Sequence, residues 1–212
     1  DPARVSTLAV EYINGLRDEG IIACGKHFPG HGDTREDSHE VLPRVKAGVA
    51  ELMGRELLPF KAAIDAGIPS LMTAHVVYEG TGGKHPATLS HSLLEDVLRR
   101  RLGFAGAVIS DDLEMHGIAD NYDVEDRTIL ALNAGVDLLM FCQREDVQVR
   151  AIETVYRAVD GRIIPEQRIE EAYGRVMELK RAIGAGRSAA NRGELYSILN
   201  DPQHKSLAAS LS

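Results

Sequence analysis

What most constrains this chain is a rhythm. Four times a short apolar run is followed by a segment with helical spacing. The runs are Ile21 to Gly25, Ser70 to Ala74, Ala107 to Ser110 and Val136 to Phe141. Each is too short for a helix and alternates little, the pattern of strands covered on both faces of a parallel sheet. A helix precedes the first run. Its apolar positions Val5, Leu8, Ala9, Tyr12, Ile13 and Leu16 recur at helical intervals, and Gly20 closes it. Asp1 and Pro2 supply an N-cap and a first-turn proline, so the sequence is expected to open in mid-fold. Between the runs the spacing predicts helices over Gly54 to Ala66, Ser92 to Leu102 and Asp123 to Ala134. Gly67, Gly103 and Gly135 stop them, and Ser92 with Glu95 reads as a capping box. Two more helices, Glu145 to Val159 and Pro165 to Ile183, follow the last run.

Strands alternating with helices imply an α/β fold with a parallel sheet, either doubly wound or closed as a barrel. Four βα units are half of a (β/α)8 TIM-barrel-like fold, which takes about 250 residues in full. Residues 1–183 are therefore expected to form a partial barrel. The segment 184–212, rich in Gly, Ala, Ser and Asn, reads as a loop or docking tail.

Composition narrows the class of partner. Across 212 residues, 24 Lys+Arg against 32 Asp+Glu leave a net charge of −8, with no basic patch for a nucleic acid or an anionic membrane. No apolar run approaches the roughly 18 residues of a membrane span, and no signal segment opens the sequence. Cys24 and Cys142 lie among apolar neighbours without metal-type spacing, so both are expected to be buried free thiols, as fits a reducing compartment.

The polar residues at the strand ends carry the chemistry, because in parallel α/β folds these ends face a common crevice. After the first run comes Lys26-His27-Phe28-Pro29-Gly30-His31-Gly32-Asp33-Thr34, then Asp37-Ser38-His39. The second run ends in His75 and the third in Ser110-Asp111-Asp112. By itself the first cluster, with His27, His31, Asp33, Asp37 and His39, has the ligand types of a zinc hydrolase, and Asp111-Asp112 suits a turn or helix cap. No thiolate and no HExxH spacing supports the metal reading.

The string KHFPGHGDT, followed by DSH and Pro43, resembles the signature of the NagZ-type bacterial β-N-acetylglucosaminidases of glycoside hydrolase family 3. The similarity continues through ELLPF at Glu56, MTAHVVY at Met72, SDDLEM at Ser110 and AGVDLLM at Ala134. The resemblance implies a barrel whose first strands lie upstream of Asp1. With them go two substrate contacts of the family, an early acidic residue and an arginine. It implies Asp111 as nucleophile and His39, oriented by Asp37, as general acid/base in a two-step retaining hydrolysis. Lys26 and His27 would bind sugar hydroxyls, and His75, on the same rim, is placed to line the site. His31 is expected to shape its loop, and Asp112 to orient the segment after the strand. No metal or cofactor is implied. The partner is a small carbohydrate, by family analogy a cell-wall turnover fragment with N-acetylglucosamine on anhydro-muramic acid, processed in the cytoplasm. Phosphorolysis by the same residues, and a non-catalytic truncated barrel, remain as alternatives.

Overall fold

A computed structural model describes residues 1–34, 41–183 and 192–211. Helix α1 (Pro2–Asp18) is capped by the Asp1 carboxylate, which accepts from the Ala3 amide, and leads into strand β1 (Cys24–Phe28). A short strand β2 (Arg44–Val45) precedes helices α2 (Val49–Gly54) and α3 (Leu57–Asp65). Strands β3 (Ser70–Thr73) and β4 (Val77–Tyr78) follow. A wide helical segment, Ser92–Arg101, then leads to β5 (Ala107–Asp112). The rest comprises α4 (His116–Ala119), α5 (Val124–Ala134), β6 (Leu138–Met140), α6 (Glu145–Asp160) and α7 (Glu166–Ala182). Two further helices, α8 (Arg192–Leu199) and α9 (Pro202–Leu211), end the described chain.

The principal sheet is wholly parallel, in the order β1-β3-β5-β6. Each strand lies beside the next in chain order. A doubly wound sheet reverses its order at a switch point, whereas a barrel adds strands in succession, so this sequence of neighbours is that of a half-barrel. β2 pairs with β4 in a small parallel ribbon beyond the ends of β1 and β3. The core fills the space between sheet and helices. Phe28, Leu71, Val108, Leu93, Leu94 and Leu98 are all buried in one cluster, with the rings of Phe28 and Phe60 edge to face at 5.4 Å.

Several expectations shift. The first strand lies three residues later than the apolar run suggests. Its start is half exposed because β1 is an edge of the described sheet, so Ile21 is exposed and Lys26 and His27 fall inside the strand. Asp111 and Asp112 likewise belong to β5 rather than following it. The helix expected over Gly54 to Ala66 is α3, which starts three residues later, with Pro59 in its first turn, where the missing N–H costs nothing; α2, just before it, is an additional short helix. Ser92 does not cap its helix; Ser90 does, its hydroxyl accepting from the Leu93 amide at 3.4 Å. Asp123 caps α5 as the sequence suggests, accepting from the Asp126 amide at 2.8 Å, and Gly135 ends that helix at φ +118°. The tail is not simply loop. α8 and α9 are helical, with Asp201-Pro202 starting the second, a cap-plus-proline signal that the Ala and Ser content obscured. Both cysteines are exposed rather than buried. Cys24 faces an apolar groove of about 330 Å³ along the outer side of β1, lined by Val5, Ala9, Tyr12, Ile13, Phe60 and Ile68 among others.

One polar residue ties the opposite end of the sheet together. Asp137, just before β6, has a fully buried carboxylate. Oδ2 accepts from the Val108 amide at 2.9 Å and from Arg99 at 2.7 Å, while Oδ1 accepts from Arg168 at 2.8 Å and Arg175 at 3.0 Å. The arginines do more than neutralise it. Arg99 also donates to the carbonyls of Phe104 and Gly106, and Arg168 to those of Leu132 and Val136. This hub joins the Ser92–Arg101 helix and α7 to the N-terminal ends of β5 and β6. Removing one member of such a network strands buried charges without a counter-ion. Asp137→Ala is therefore expected to lower the unfolding free energy by about 3–5 kcal/mol in a urea titration; a loss below about 1 kcal/mol would contradict the role given to the hub.

Candidate active site

Parallel register brings the polar strand ends together. Gly25 pairs with Leu71 and Leu71 with Val108; Phe28 then pairs with Thr73, and Met72 with Ile109. The three strands therefore end at similar heights, with Lys26 and His27, then His75, then Asp111 and Asp112 at one edge. His27 Nε2 lies 3.4 Å from Asp111 Oδ2, and both side chains remain partly accessible. The other oxygen of Asp111 is pinned: Oδ1 accepts from the Asp112 backbone N–H at 2.9 Å. One carboxylate oxygen is thus held by the strand's own backbone, and the second faces the rim beside an imidazole. Lys26, next to His27 on β1, is exposed. The peptide bonds Lys26–His27 and Phe28–Pro29 are cis.

Asp112 turns its carboxylate away from this edge. Oδ1 accepts from the amides of Glu114 at 3.0 Å and Cys142 at 3.2 Å, so it shapes the turns after β5 and β6. Glu114 continues this work by accepting from the amides of Gln143 and Arg144. His75 is not on the open rim. It is 1% exposed, with Nδ1 2.8 Å from the Thr88 hydroxyl and Nε2 3.0 Å from the Asp112 carbonyl oxygen. Both ring nitrogens are committed to the protein, so the expectation that His75 lines the sugar gives way to a place behind Asp111.

The loop after β1 is anchored by residues that the sequence alone did not single out. The Tyr78 hydroxyl donates to the Gly30 carbonyl at 2.6 Å, and burial pushes its pKa well above that of an ordinary phenol, keeping it a donor. Arg55 pairs with Asp33 at 3.0 Å and with Glu56. Gly30 has φ +129°, and a Cβ there would meet the Glu56 side chain at 2.7 Å, so the turn over Glu56 requires glycine. His31 Nδ1 lies 2.7 Å from the Thr34 hydroxyl, which also donates to the His31 carbonyl. Asp37 and His39, nominated by the sequence as the acid/base pair, lie outside the described residues. Among the described residues no group of three or more His, Cys, Asp or Glu side chains is arranged to hold a metal ion.

A successively ordered parallel sheet with its ionisable residues gathered at the carboxyl ends of the strands defines an α/β barrel domain with its site at the C-terminal rim. Comparison with known proteins makes the class specific. A model of the glycosyl hydrolase family 3 N-terminal domain matches residues 1–179, and the chain belongs to that family. It is 40% identical over 154 residues to a beta-hexosaminidase of Methylococcus capsulatus, covering 73% of this chain and 46% of that protein. With a beta-hexosaminidase of Neisseria gonorrhoeae the identity is 36% over 184 residues, covering 87% of this chain and 48% of that one. The structure of a family 3 beta-N-acetylglucosaminidase from a Paenibacillus species superposes with a TM-score of 0.83 at 39% identity, over 88% of this chain and 36% of its own. The chain thus spans less than half the length of each of these three relatives. No helix among the described residues is long and apolar enough to cross a membrane.

His75 gives the site a pH signature. Burial lowers its pKa below the ordinary 6.5, outweighing the Asp112 carbonyl and the nearby Asp111 and Asp112 charges, which raise it; His27 lowers it further. On acidification the unfolded chain therefore takes up this proton first. The stabilisation is complete above about pH 6.5 and declines as pH falls from there through the lower folded value. The stability advantage of the parent over His75→Gln, from urea midpoints, is expected to narrow between pH 7.5 and 5.5. An advantage that widens or stays constant would show that His75 is not held neutral.

Proposed function

We propose that this chain carries the catalytic rim of a retaining β-N-acetylglucosaminidase, with Asp111 as nucleophile. The observation that carries the proposal is the Asp111 carboxylate, one oxygen fixed by the Asp112 amide and the other turned to the rim 3.4 Å from His27. Oδ2 attacks the anomeric carbon of a terminal β-linked N-acetylglucosamine, and the bond to the leaving oxygen breaks as that oxygen takes a proton from His39. His39 then removes a proton from water, whose oxygen attacks the same carbon and releases Asp111. Lys26 and His27 hold ring hydroxyls beside the nucleophile.

The reading of His39 is supported by the reach of its tether. Thr34 bonds to His31, and the His31 and His27 rings lie 6.0 Å apart between centroids, so the loop leaves from the nucleophile's own edge. Five residues beyond Thr34 span at most about 18 Å, ample to return an imidazole to the rim. An imidazole titrating near neutrality can act as acid in the first step and base in the second, with Asp37 orienting it. Among the described residues no strand lies beyond β1, and its outer side with the apolar groove is where a further strand of the barrel would add, completing the enclosure around the sugar. The finer assignments rest on the family resemblance: a cell-wall turnover fragment as natural substrate, no cofactor, and a cytoplasmic location.

In the full protein, Asp111→Ala is expected to abolish turnover of an aryl β-N-acetylglucosaminide, and His39→Ala to cost about 10²–10⁴-fold. Near-parental rates in either variant refute the assignment. Release of free N-acetylglucosamine is expected with or without phosphate; a glycosyl phosphate product would favour phosphorolysis instead.

A further inference from the structure

We propose that His75 is a positioning residue for the Asp111 carboxylate, acting through the Asp112 main chain that it holds; the proposal rests on Asp111 being the nucleophile. The Asp112 carbonyl can only accept, so the ring nitrogen 3.0 Å away, Nε2, carries a proton. Nδ1 of the neutral ring is then an acceptor, and the Thr88 hydroxyl at 2.8 Å is its donor. That hydroxyl also lies 3.1 Å from the Ala74 carbonyl, the more distant claimant on its one proton, and its oxygen is 2.9 Å from the Thr73 hydroxyl, which can donate to it. A directed chain results: Thr73 to Thr88, Thr88 to His75, His75 to Asp112. Thr73 ends β3, His75 follows it before β4, Thr88 lies in the short helical turn Ala87–Leu89 beyond β4, and Asp112 ends β5.

The chain stands where β3 stops helping. Pairing between β3 and β5 runs only to Met72 and Ile109, while on the other side the register between β5 and β6 shifts after Ile109 and resumes with Asp112 beside Met140. On the β3 side Asp111 and Asp112 thus extend past the ladder. His75 supplies a hydrogen bond that a ladder would otherwise make, and the Asp112 carbonyl also accepts from the Met115 amide at 3.1 Å. Asp112 is therefore held at both ends, its C=O by His75 and Met115, its N–H on Asp111 Oδ1. Losing the His75 bond leaves the carbonyl to the Met115 amide alone and slackens its hold on this peptide, which shifts the N–H and with it the carboxylate that must meet the anomeric carbon. Packing alone gives no reason for an imidazole in a site 1% exposed, because an apolar side chain of similar size would fill it without desolvating two ring nitrogens.

The test follows kcat, KM and covalent labelling in the full protein for His75→Leu, Thr88→Val and Thr88→Ser. The labelling probe is 5-fluoro-N-acetylglucosaminyl fluoride, which loses fluoride as the nucleophile's oxygen bonds to its anomeric carbon. Rates are referred to the fraction of protein that the label can titrate, and peptide mass spectrometry locates the label. His75→Leu is expected to lower kcat and the labelling rate together by about 10–100-fold, with KM within about threefold, as for a nucleophile displaced by a fraction of an ångström. Thr88→Val should lower both by about 3–10-fold by freeing the tautomer, and Thr88→Ser should restore them. If His75→Leu does not fold, the Thr88 pair decides. A labelling rate within twofold of the parent in His75→Leu, or in Thr88→Val should His75→Leu not fold, overturns the positioning role while leaving Asp111 as nucleophile. A label found on a residue other than Asp111 overturns the functional reading itself, and the positioning role with it.

Discussion

Parallel pairing of β1, β3 and β5 is the constraint from which the site follows. In a parallel sheet every strand runs the same way, so the residues leaving each carboxyl end share one edge. With Gly25 beside Leu71 and Leu71 beside Val108, the chain delivers a lysine and a histidine from β1, a histidine after β3 and a pair of aspartates from β5 to that edge. A slip of one residue in β5 would turn Asp111 to the opposite face of the sheet and put Ser110 or Asp112 in its place. The buried side chains of Val108 and Leu71 resist such a slip, since it would carry apolar groups out of the core.

The two ends of the sheet spend polar groups differently. At the N-terminal end the Asp137 carboxylate is saturated by guanidinium and amide donors. At the C-terminal end the carboxylate of Asp111 has one oxygen fixed and one accessible, and Asp112 and Glu114 use theirs to order the turns around it. Saturated charge builds rigidity; a half-satisfied carboxylate retains the capacity to react. The separation places stability and chemistry on opposite faces, as barrel folds generally do.

Much of this was legible in the sequence, and the omissions have physical causes. The βα rhythm, the caps at Asp1 and Asp123 and the stop at Gly135 are local properties, and each appears in the structure as read. The position of β1 is not legible from its apolar run because an edge strand does not show the doubly buried pattern of an interior one. The place of His75 in the chain points to the rim and says nothing of a hydroxyl 13 residues later that turns the ring inward. The Asp137 hub draws on partners up to 38 residues away on either side in the chain and leaves no periodic trace. Asp37 and His39 stand on the motif alone, since spacing by itself is equally that of an ordinary polar loop.

Bond formation between a carboxylate on β5 and the sugar would have a stereochemical consequence. Two successive displacements at the anomeric carbon return it to its original configuration. Proton NMR of the full protein acting on an aryl β-N-acetylglucosaminide, recorded before mutarotation, is predicted to show β-N-acetylglucosamine as the first sugar formed. Initial appearance of the α-anomer would mean a single displacement by water, and would contradict the role given to Asp111.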